Sequence, residues 1–147
     1  MSEISFRRMT RDDLEKVCAL ENDIFSDPWS MNAFKSDLEN KLAFPLVGEL
    51  ELSIVAYASI YIVAHEMQIG NFAVAPGYRK RGVARKLMDE ILGIAGDRGC
   101  CSIFLEVRES NKPAQSLYES CGFISAGTRK NYYSRPRESA VLMVKEL

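Results

Sequence analysis

Apolar positions along this chain switch between two periods, and each switch marks an element. Residues 3–9 alternate in the manner of a short strand. Thr10-Arg11-Asp12-Asp13 forms a T-x-x-D capping box, and Leu14, Val17, Cys18 and Ile24 then supply an apolar helical face that runs out near Phe25. A turn over Ser26-Asp27-Pro28-Trp29-Ser30 follows, with Ser30 placed to cap a second helix reaching about Asn40. Residues 44–48 and 52–63 read as strands joined by the tight Glu49-Leu50-Glu51 connection. Residues 67–75 read as a further strand, stopped by Pro76-Gly77-Tyr78.

The clearest helix covers residues 82–97. Val83, Leu87, Ile91 and Ala95 fall on one stripe at i, i+4 spacing, widened by Ala84, Met88 and Leu92. Gly99 ends it, and residues 100–107 are a nearly continuous apolar run, the pattern of a strand buried on both faces and paired in parallel. A last helix starts near Asn111, with Pro113 in its first turn, and stops at Gly122. Residues 123–129 and 139–146 read as two antiparallel closing strands. The order β-α-α-β-β-β-α-β-α-β-β predicts an α/β sandwich: a central mixed sheet of about seven strands with four helices, not a doubly wound sheet. Its strand–helix–strand unit over residues 67–107 is right-handed.

At 147 residues the chain is expected to form a single domain over 1–147. With 47% hydrophobic and 27% charged residues it is neither disordered nor low-complexity. No run reaches the roughly 18 apolar residues that span a bilayer. The first eight residues lack the apolar core of a signal peptide. A cytoplasmic protein with no membrane partner is therefore expected. Cys18, Cys100, Cys101 and Cys121 form no C-x-x-C pair, and His65 is the single histidine, so the cysteines read as reduced and no metal is expected.

The net charge of −1 conceals a split. Residues 1–75 carry 6 basic and 12 acidic side chains; residues 76–147 carry 13 basic and 8 acidic. The near-neutral sum argues against direct nucleic-acid binding. Five of the basic residues lie in the eight-residue segment Arg79-Lys80-Arg81-Gly82-Val83-Ala84-Arg85-Lys86, at a strand-to-helix junction. A helix start offers free N–H groups and partial positive charge to an anion. Gly82 lets backbone approach a ligand closely, and Ala84 is small. The segment therefore predicts a diphosphate cradle, and it matches neither the Walker nor the Rossmann phosphate loop.

Here a family resemblance becomes specific. Arg79-x-x-Gly82-x-Ala84 resembles the R/Q-x-x-G-x-G/A signature of the GNAT acyltransferase superfamily. Asn71-Phe72-Ala73-Val74-Ala75-Pro76 resembles the strand beside which that family lays pantetheine. NKPAQSLYESCGF, which starts at Asn111 and ends at Phe123, resembles its N-x-x-A-x-x-L-Y-x-x-x-G-F segment. The element order matches over essentially the whole chain. The resemblance implies acetyl-CoA as co-substrate. Backbone amides of Lys80, Arg81, Gly82, Val83, Ala84 and Arg85 would meet its pyrophosphate, with Arg79 alongside. The main chain of Phe72, Ala73 and Val74 would pair with pantetheine like an added strand. Asn111 would bond the pantetheine arm, Tyr118 would point at the thioester sulfur, and a backbone N–H near Val74 would meet the oxyanion.

Acyl transfer to an amine requires a base for the amine, stabilisation of the oxyanion and an acid for the leaving thiolate. Glu106, in Leu105-Glu106-Val107 at the carboxyl end of the apolar run, is the candidate base. The other reading is a solvated strand-end glutamate paired to Arg108 or Lys112. Tyr118 is the candidate acid; the other reading is a packed helix tyrosine.

The LEVRESN segment, the Asn131-Tyr132-Tyr133 loop and Phe25-Ser26-Asp27-Pro28-Trp29-Ser30 resemble RimI-type bacterial members of the superfamily. Those acetylate the N-terminal alanine of a small-subunit ribosomal protein. Ala84 stands where that subgroup often carries a second glycine. The resemblance implies direct attack in a ternary complex, with the N-terminal tail of a ribosomal protein as partner; a monomer is expected. The Glu and Asp residues of 21–39, including Asp27 beside Trp29, could attract a positively charged tail, and Asp27, Trp29, Tyr132 and Tyr133 are the candidate acceptor-binding residues. The other reading is solvated helix faces for the acidic residues, and edge-strand aromatics covering the core for Tyr132 and Tyr133. Other protein N-termini, a small amine, or a silent CoA-binding module are the competing functions.

Overall fold

The computed structural model describes residues 3–147. Strand β1 (Ser5–Arg8) leads through a 3-10 turn (Arg11–Asp13) into helix α1 (Leu14–Ile24), followed by α2 (Met31–Glu39). Strands β2 (Ala43–Leu50), β3 (Ser53–Val63) and β4 (Glu66–Val74) form a meander. Helix α3 (Val83–Asp97), β5 (Ser102–Arg108), α4 (Lys112–Ser120), β6 (Ile124–Ser134) and β7 (Arg137–Glu146) complete the chain. The strands make one sheet in the order β1-β2-β3-β4-β5-β7-β6. All neighbours are antiparallel except β4 and β5, so the sheet is mixed as expected. The crossover between those two parallel strands is α3.

Two cores lie on opposite faces of the sheet. On one, Val83, Leu87, Met88, Ile91 and Ala95 of α3 pack on Ile60, Met67, Ile69, Ile103, Leu105 and Met143, and Tyr118 of α4 joins them. On the other, Leu14 and Val17 of α1 and Phe34 of α2 pack on Val47, Tyr57 and Ala73. Each large side chain buried this way contributes roughly 1.5–3 kcal/mol. The capping residue Asp13 accepts the Thr10 N–H at 2.7 Å. It also accepts from both terminal nitrogens of Arg7 at 2.7 and 2.8 Å, which ties β1 to the start of α1. That guanidinium holds the Asp13 carboxyl below the usual carboxylate range. No helix among the described residues is long and apolar enough to cross a membrane.

Two boundaries differ from the sequence expectation. β2 runs on to Leu50, so the tight connection is Glu51-Leu52 rather than Glu49-Leu50-Glu51, with Glu51 in the left-handed region at φ 59°. The Asn131-Tyr132-Tyr133 segment is not a loop but part of β6. The register there steps from Arg129↔Ala140 to Tyr133↔Glu138, so three residues of β6 oppose one of β7. β6 is the edge strand and is exposed along nearly its whole length. A strand with no buried face has no apolar alternation to read, and its pairing rests on the main chain.

Candidate active site

The site begins with one extra residue. β3 and β4 pair as Ser59↔Asn71 and then Ile60↔Ile69, which leaves Gly70 as a bulge. A Cβ at Gly70 would lie 2.7 Å from the Tyr61 ring and 3.6 Å from Trp29, so the position has no room for a side chain. β4 pairs with β5 from Glu66↔Ser102 to Ile69↔Leu105 and stops at that bulge. Beyond it the two strands diverge. Residues 70–74 keep only β3, and residues 106–108 keep only β7. The Ala75 N–H bonds the Val55 carbonyl, so by antiparallel alternation Ala73 and Asn71 turn their N–H toward β3. The main chain of Phe72 and Val74 therefore faces the opening. The Phe72 N–H is taken by Asn71 Oδ1 at 2.9 Å. The Val74 N–H is left as the donor directed into the gap.

The basic segment lies at the end of this opening. Lys80 and Gly82 have left-handed backbone, at φ 63° and 78°. Such conformations turn successive N–H groups to one side, as in anion-binding nests. A Cβ at Gly82 would meet nothing within 4 Å, so glycine serves the positive φ there. The first helical bond of α3 runs from Lys86 N–H to the Gly82 carbonyl. The N–H groups of Val83, Ala84 and Arg85 thus have no helical partner and remain for an anion. Arg79, Lys80 and Arg81 are exposed around them, Arg81 lying over the Tyr78 ring at 5.4 Å. The Arg85 guanidinium is turned elsewhere: it donates to Ser120 Oγ and fastens α3 to α4. Asn111 caps α4, its Oδ1 accepting the Ala114 N–H at 3.2 Å, and its amide nitrogen is left to donate. A nest, a free helix start and an unpaired strand edge in line fit the pyrophosphate and pantetheine of acetyl-CoA. No group of His, Cys, Asp or Glu side chains among the described residues is arranged to hold a metal.

Glu106 and Tyr118 flank the opening from opposite faces of the sheet. Ile103, Leu105 and Val107 point into the α3–α4 core, so Glu106 and Arg108 point to the α1–α2 face. The Glu106 side chain is 10% exposed, and its Oε2 is sealed from solvent with no hydrogen bond. Neither Arg108 nor Lys112 pairs with it. Arg108 instead bonds Glu138 Oε1 at 3.2 Å and the carbonyls of Arg135 and Pro136 at 2.8 and 3.0 Å. The cation beside Glu106 is Arg129, with Nε 3.7 Å from Oε2. Tyr118 is buried against Phe72 and Phe123, with ring centroids 5.6 and 6.0 Å away. Burial pushes its phenol well above the usual tyrosine range, so it stays protonated. A carboxylate and a phenol thus stand on the two sides of one gap.

The remaining candidates border the α1–α2 face. Ser26 Oγ donates to the Arg135 carbonyl at 2.5 Å and Ser134 Oγ approaches Asp27 Oδ2 at 3.5 Å, so the α1–α2 turn touches the tip of the β6–β7 hairpin. Tyr132 and Tyr133 meet edge to face at 5.0 Å, and Arg108 lies over Tyr133 at 4.3 Å. Burial, with Tyr132 and Glu106 nearby, pushes the Tyr133 phenol up to about 12. Trp29 is half-buried, its ring 5.3 Å from Phe34.

Its main-chain N–H leads to Glu21, one of the acidic residues of 21–39 expected to attract a cationic tail from the surface; the structure buries it instead, with Asp37. Glu21 is 1% exposed. Its carboxylate accepts from Tyr57 Oη at 2.7 Å, Asn71 Nδ2 at 2.9 Å and the Trp29 N–H at 3.0 Å. The signal was present: Glu21 is seven residues after Leu14 and four after Val17, squarely on the apolar stripe of α1.

The acetyltransferase (GNAT) family model matches residues 14–123. The ribosomal protein bS18-alanine N-acetyltransferase of Escherichia coli strain K12 is 36% identical over 134 residues, which is 89% of either chain. The protein of the same name from Haemophilus ducreyi is 34% identical over 134 residues, 89% of this chain and 92% of that one. The crystal structure of the ribosomal-protein-S18-alanine N-acetyltransferase from Escherichia coli matches with a TM-score of 0.91 at 30% identity, covering 98% of this chain and 94% of that one. Sequence match and strand divergence agree, and this chain belongs to the GNAT acetyltransferase family, whose acetyl donor is acetyl-CoA.

Proposed function

We propose that this chain acetylates the α-amine of an N-terminal alanine on the tail of a small-subunit ribosomal protein, with donor and acceptor bound together. The observation that carries the acceptor is the 36% identity, across 89% of both chains, to an enzyme named for that reaction. Acetyl-CoA supplies the acetyl thioester. The amides of Lys80, Arg81, Gly82, Val83, Ala84 and Arg85 hold its pyrophosphate, with Arg79 adding charge. The edge presented by the main chain of Phe72 and Val74 aligns the pantetheine, Ala73 between them being turned to β3 instead of the pantetheine as the resemblance implied, and the Asn111 amide bonds it. The Val74 N–H receives the charge that develops on the thioester carbonyl oxygen.

At pH 7 an α-amine of pKa about 7.7–8.0 loses its proton at a cost of about 1–1.4 kcal/mol, against about 4.6 for lysine. A carboxylate is therefore base enough. Glu106, with one oxygen free of hydrogen bonds, takes that proton, and the neutral amine attacks the carbonyl carbon. Tyr118 gives its phenolic proton to the departing thiolate. Asp27, Trp29, Tyr132 and Tyr133 flank the acceptor's first residues. The reaction takes place in the cytoplasm, with 1–147 as one catalytic domain. The enzyme acts as a monomer and touches neither nucleic acid nor membrane.

The test is mass spectrometry of three acceptors incubated with enzyme and acetyl-CoA: an alanine-initiated peptide, the same peptide blocked at its N-terminus but carrying an internal lysine, and a polyamine. Acetylation at the α-amine of the first is expected. Modification of the polyamine alone sinks the proposal. Glu106→Gln is expected to lower kcat by about 10²-fold or more; an unchanged rate removes Glu106 as the base.

A further inference from the structure

The orphaned oxygen of Glu106 has a neighbour that the reaction as described does not use. A carboxylate oxygen cut off from water and lacking a hydrogen bond is unfavourable unless a cation stands by. Among the described residues that cation is Arg129, whose Nε is 3.7 Å from Oε2, just beyond hydrogen-bond reach. The two partners are unlike. The Glu106 side chain is 10% exposed and fixed on a central strand, whereas that of Arg129 is 61% exposed on the edge strand.

The register explains how a residue two strands away arrives there. Arg108 pairs with Ala140, and Ala140 with Arg129, so the three share one row on one face. Strands are about 4.8 Å apart, which puts β6 roughly 10 Å from β5. Only a long side chain covers that distance; Glu106 lies one row along the same face, paired with Leu142, so Arg129 reaches it diagonally across β7. Arg108 is nearer, but its guanidinium is consumed by Glu138 and the two hairpin carbonyls. Among the described residues none hydrogen-bonds the Arg129 guanidinium, which lies 5.6 Å above the Tyr132 ring.

A guanidinium and an N-terminal ammonium present the same chemistry to a carboxylate: a positive charge and N–H donors. We propose that Arg129 is a placeholder for the acceptor amine. In the free enzyme it fills the cation position beside Glu106, and the incoming ammonium displaces it toward Tyr132. This rests on the reading of Glu106 as the base. The device favours an acceptor that arrives as a cation, because a neutral hydroxyl or a water molecule brings no charge to exchange. Arg129 is a positioning residue, since it acts through Glu106 and not on the reacting atoms.

The test is steady-state kinetics with an alanine-initiated peptide as the varied substrate and acetyl-CoA saturating. Arg129→Gln removes the competitor, so the acceptor KM is expected to fall about three- to fivefold, the scale of a lost exposed ion pair. Arg129→Lys keeps a long cation and is expected to restore the wild-type KM. In a Glu106→Gln background, Arg129→Gln is expected to leave KM unmoved. A KM that is unchanged or raised by Arg129→Gln, or one that falls equally in both backgrounds, overturns the proposal. The base assignment is judged separately, by the kcat of Glu106→Gln with Arg129 intact, so either idea can fail without the other.

Discussion

Glu21 offers the sharpest prediction, because its two oxygens are used unequally. Oε1 accepts from Tyr57 and Asn71, and Oε2 accepts from the Trp29 N–H. In Glu21→Gln the amide oxygen keeps both Oε1 partners only if the NH2 takes the Oε2 position. There it faces another donor. The variant therefore loses one hydrogen bond to a charged group and strands a buried N–H, a cost of about 1.5–3 kcal/mol. Glu21→Ala orphans three donors and opens a cavity, at about 3–5 kcal/mol. Against a total stability of about 5–15 kcal/mol that brings the alanine variant close to unfolding. The loss is local in the glutamine variant. It frees the turn that carries Ser26 and Asp27 to the β6–β7 hairpin, so the acceptor KM rises while the acetyl-CoA KM holds. Trp29 is the single tryptophan, and its fluorescence reports that turn directly during urea unfolding. A glutamine variant within about 0.5 kcal/mol of wild type, with unchanged Trp29 emission, would refute the assignment of Oε2 to Trp29.

Gly70→Ala puts a Cβ 2.7 Å from a Tyr61 ring whose hydroxyl is held by both oxygens of Asp37 at 2.8 Å; a loss of about 1–3 kcal/mol is expected in urea titration, and wild-type stability would mean that the ring moves freely. Tyr118→Phe keeps the ring contacts with Phe72 and Phe123, so kcat is expected to fall about 10²-fold with the melting temperature nearly unchanged; full activity would return Tyr118 to packing. Tyr133 is pushed up to about 12 by burial, and Tyr118 is raised by the same cause, against about 10 for an unfolded tyrosine. Above pH 10 the native state then holds more protons than the unfolded one, so stability is expected to fall as pH rises from about 10 toward 12. Urea midpoints that stay level or climb over that window would contradict the burial of these phenols.

What the sequence revealed was set by how far apart the interacting residues are along the chain. The α3 stripe and the β5 run were legible because one helix face and one strand each carry their own periodicity. The basic strand-to-helix segment was legible because its parts sit within eight residues. Glu106 could be singled out as a strand-end carboxylate, but its partner could not. Arg129 reaches it through two strand registers, and nothing in the β6 sequence marks that register. The same strand looked like a loop at residues 131–133 because an edge strand exposed on both faces needs no apolar alternation. Glu21 was a different kind of miss. Its place on the α1 stripe marked it as buried, and a glutamate on such a stripe is a statement about donors waiting on the far side.

The uneven distribution of charge along the chain becomes a division across the sheet. The acidic half builds α1, α2 and the strands beneath them, and the basic segment opens α3 on the opposite face. A sheet without a gap would keep an anionic donor and a cationic acceptor on those faces apart. Gly70 removes the barrier. Its extra residue puts Gly70 against Trp29 and Asn71 against Glu21, both on the α1–α2 face. The bulge also ends the β4–β5 pairing after Ile69↔Leu105. One position therefore accommodates the Trp29 turn on the α1–α2 side and leaves the Val74 N–H unpaired at the gap. The two substrates of the proposed reaction can approach from opposite faces and meet between the diverging strands, with Glu106 on one side and Tyr118 on the other.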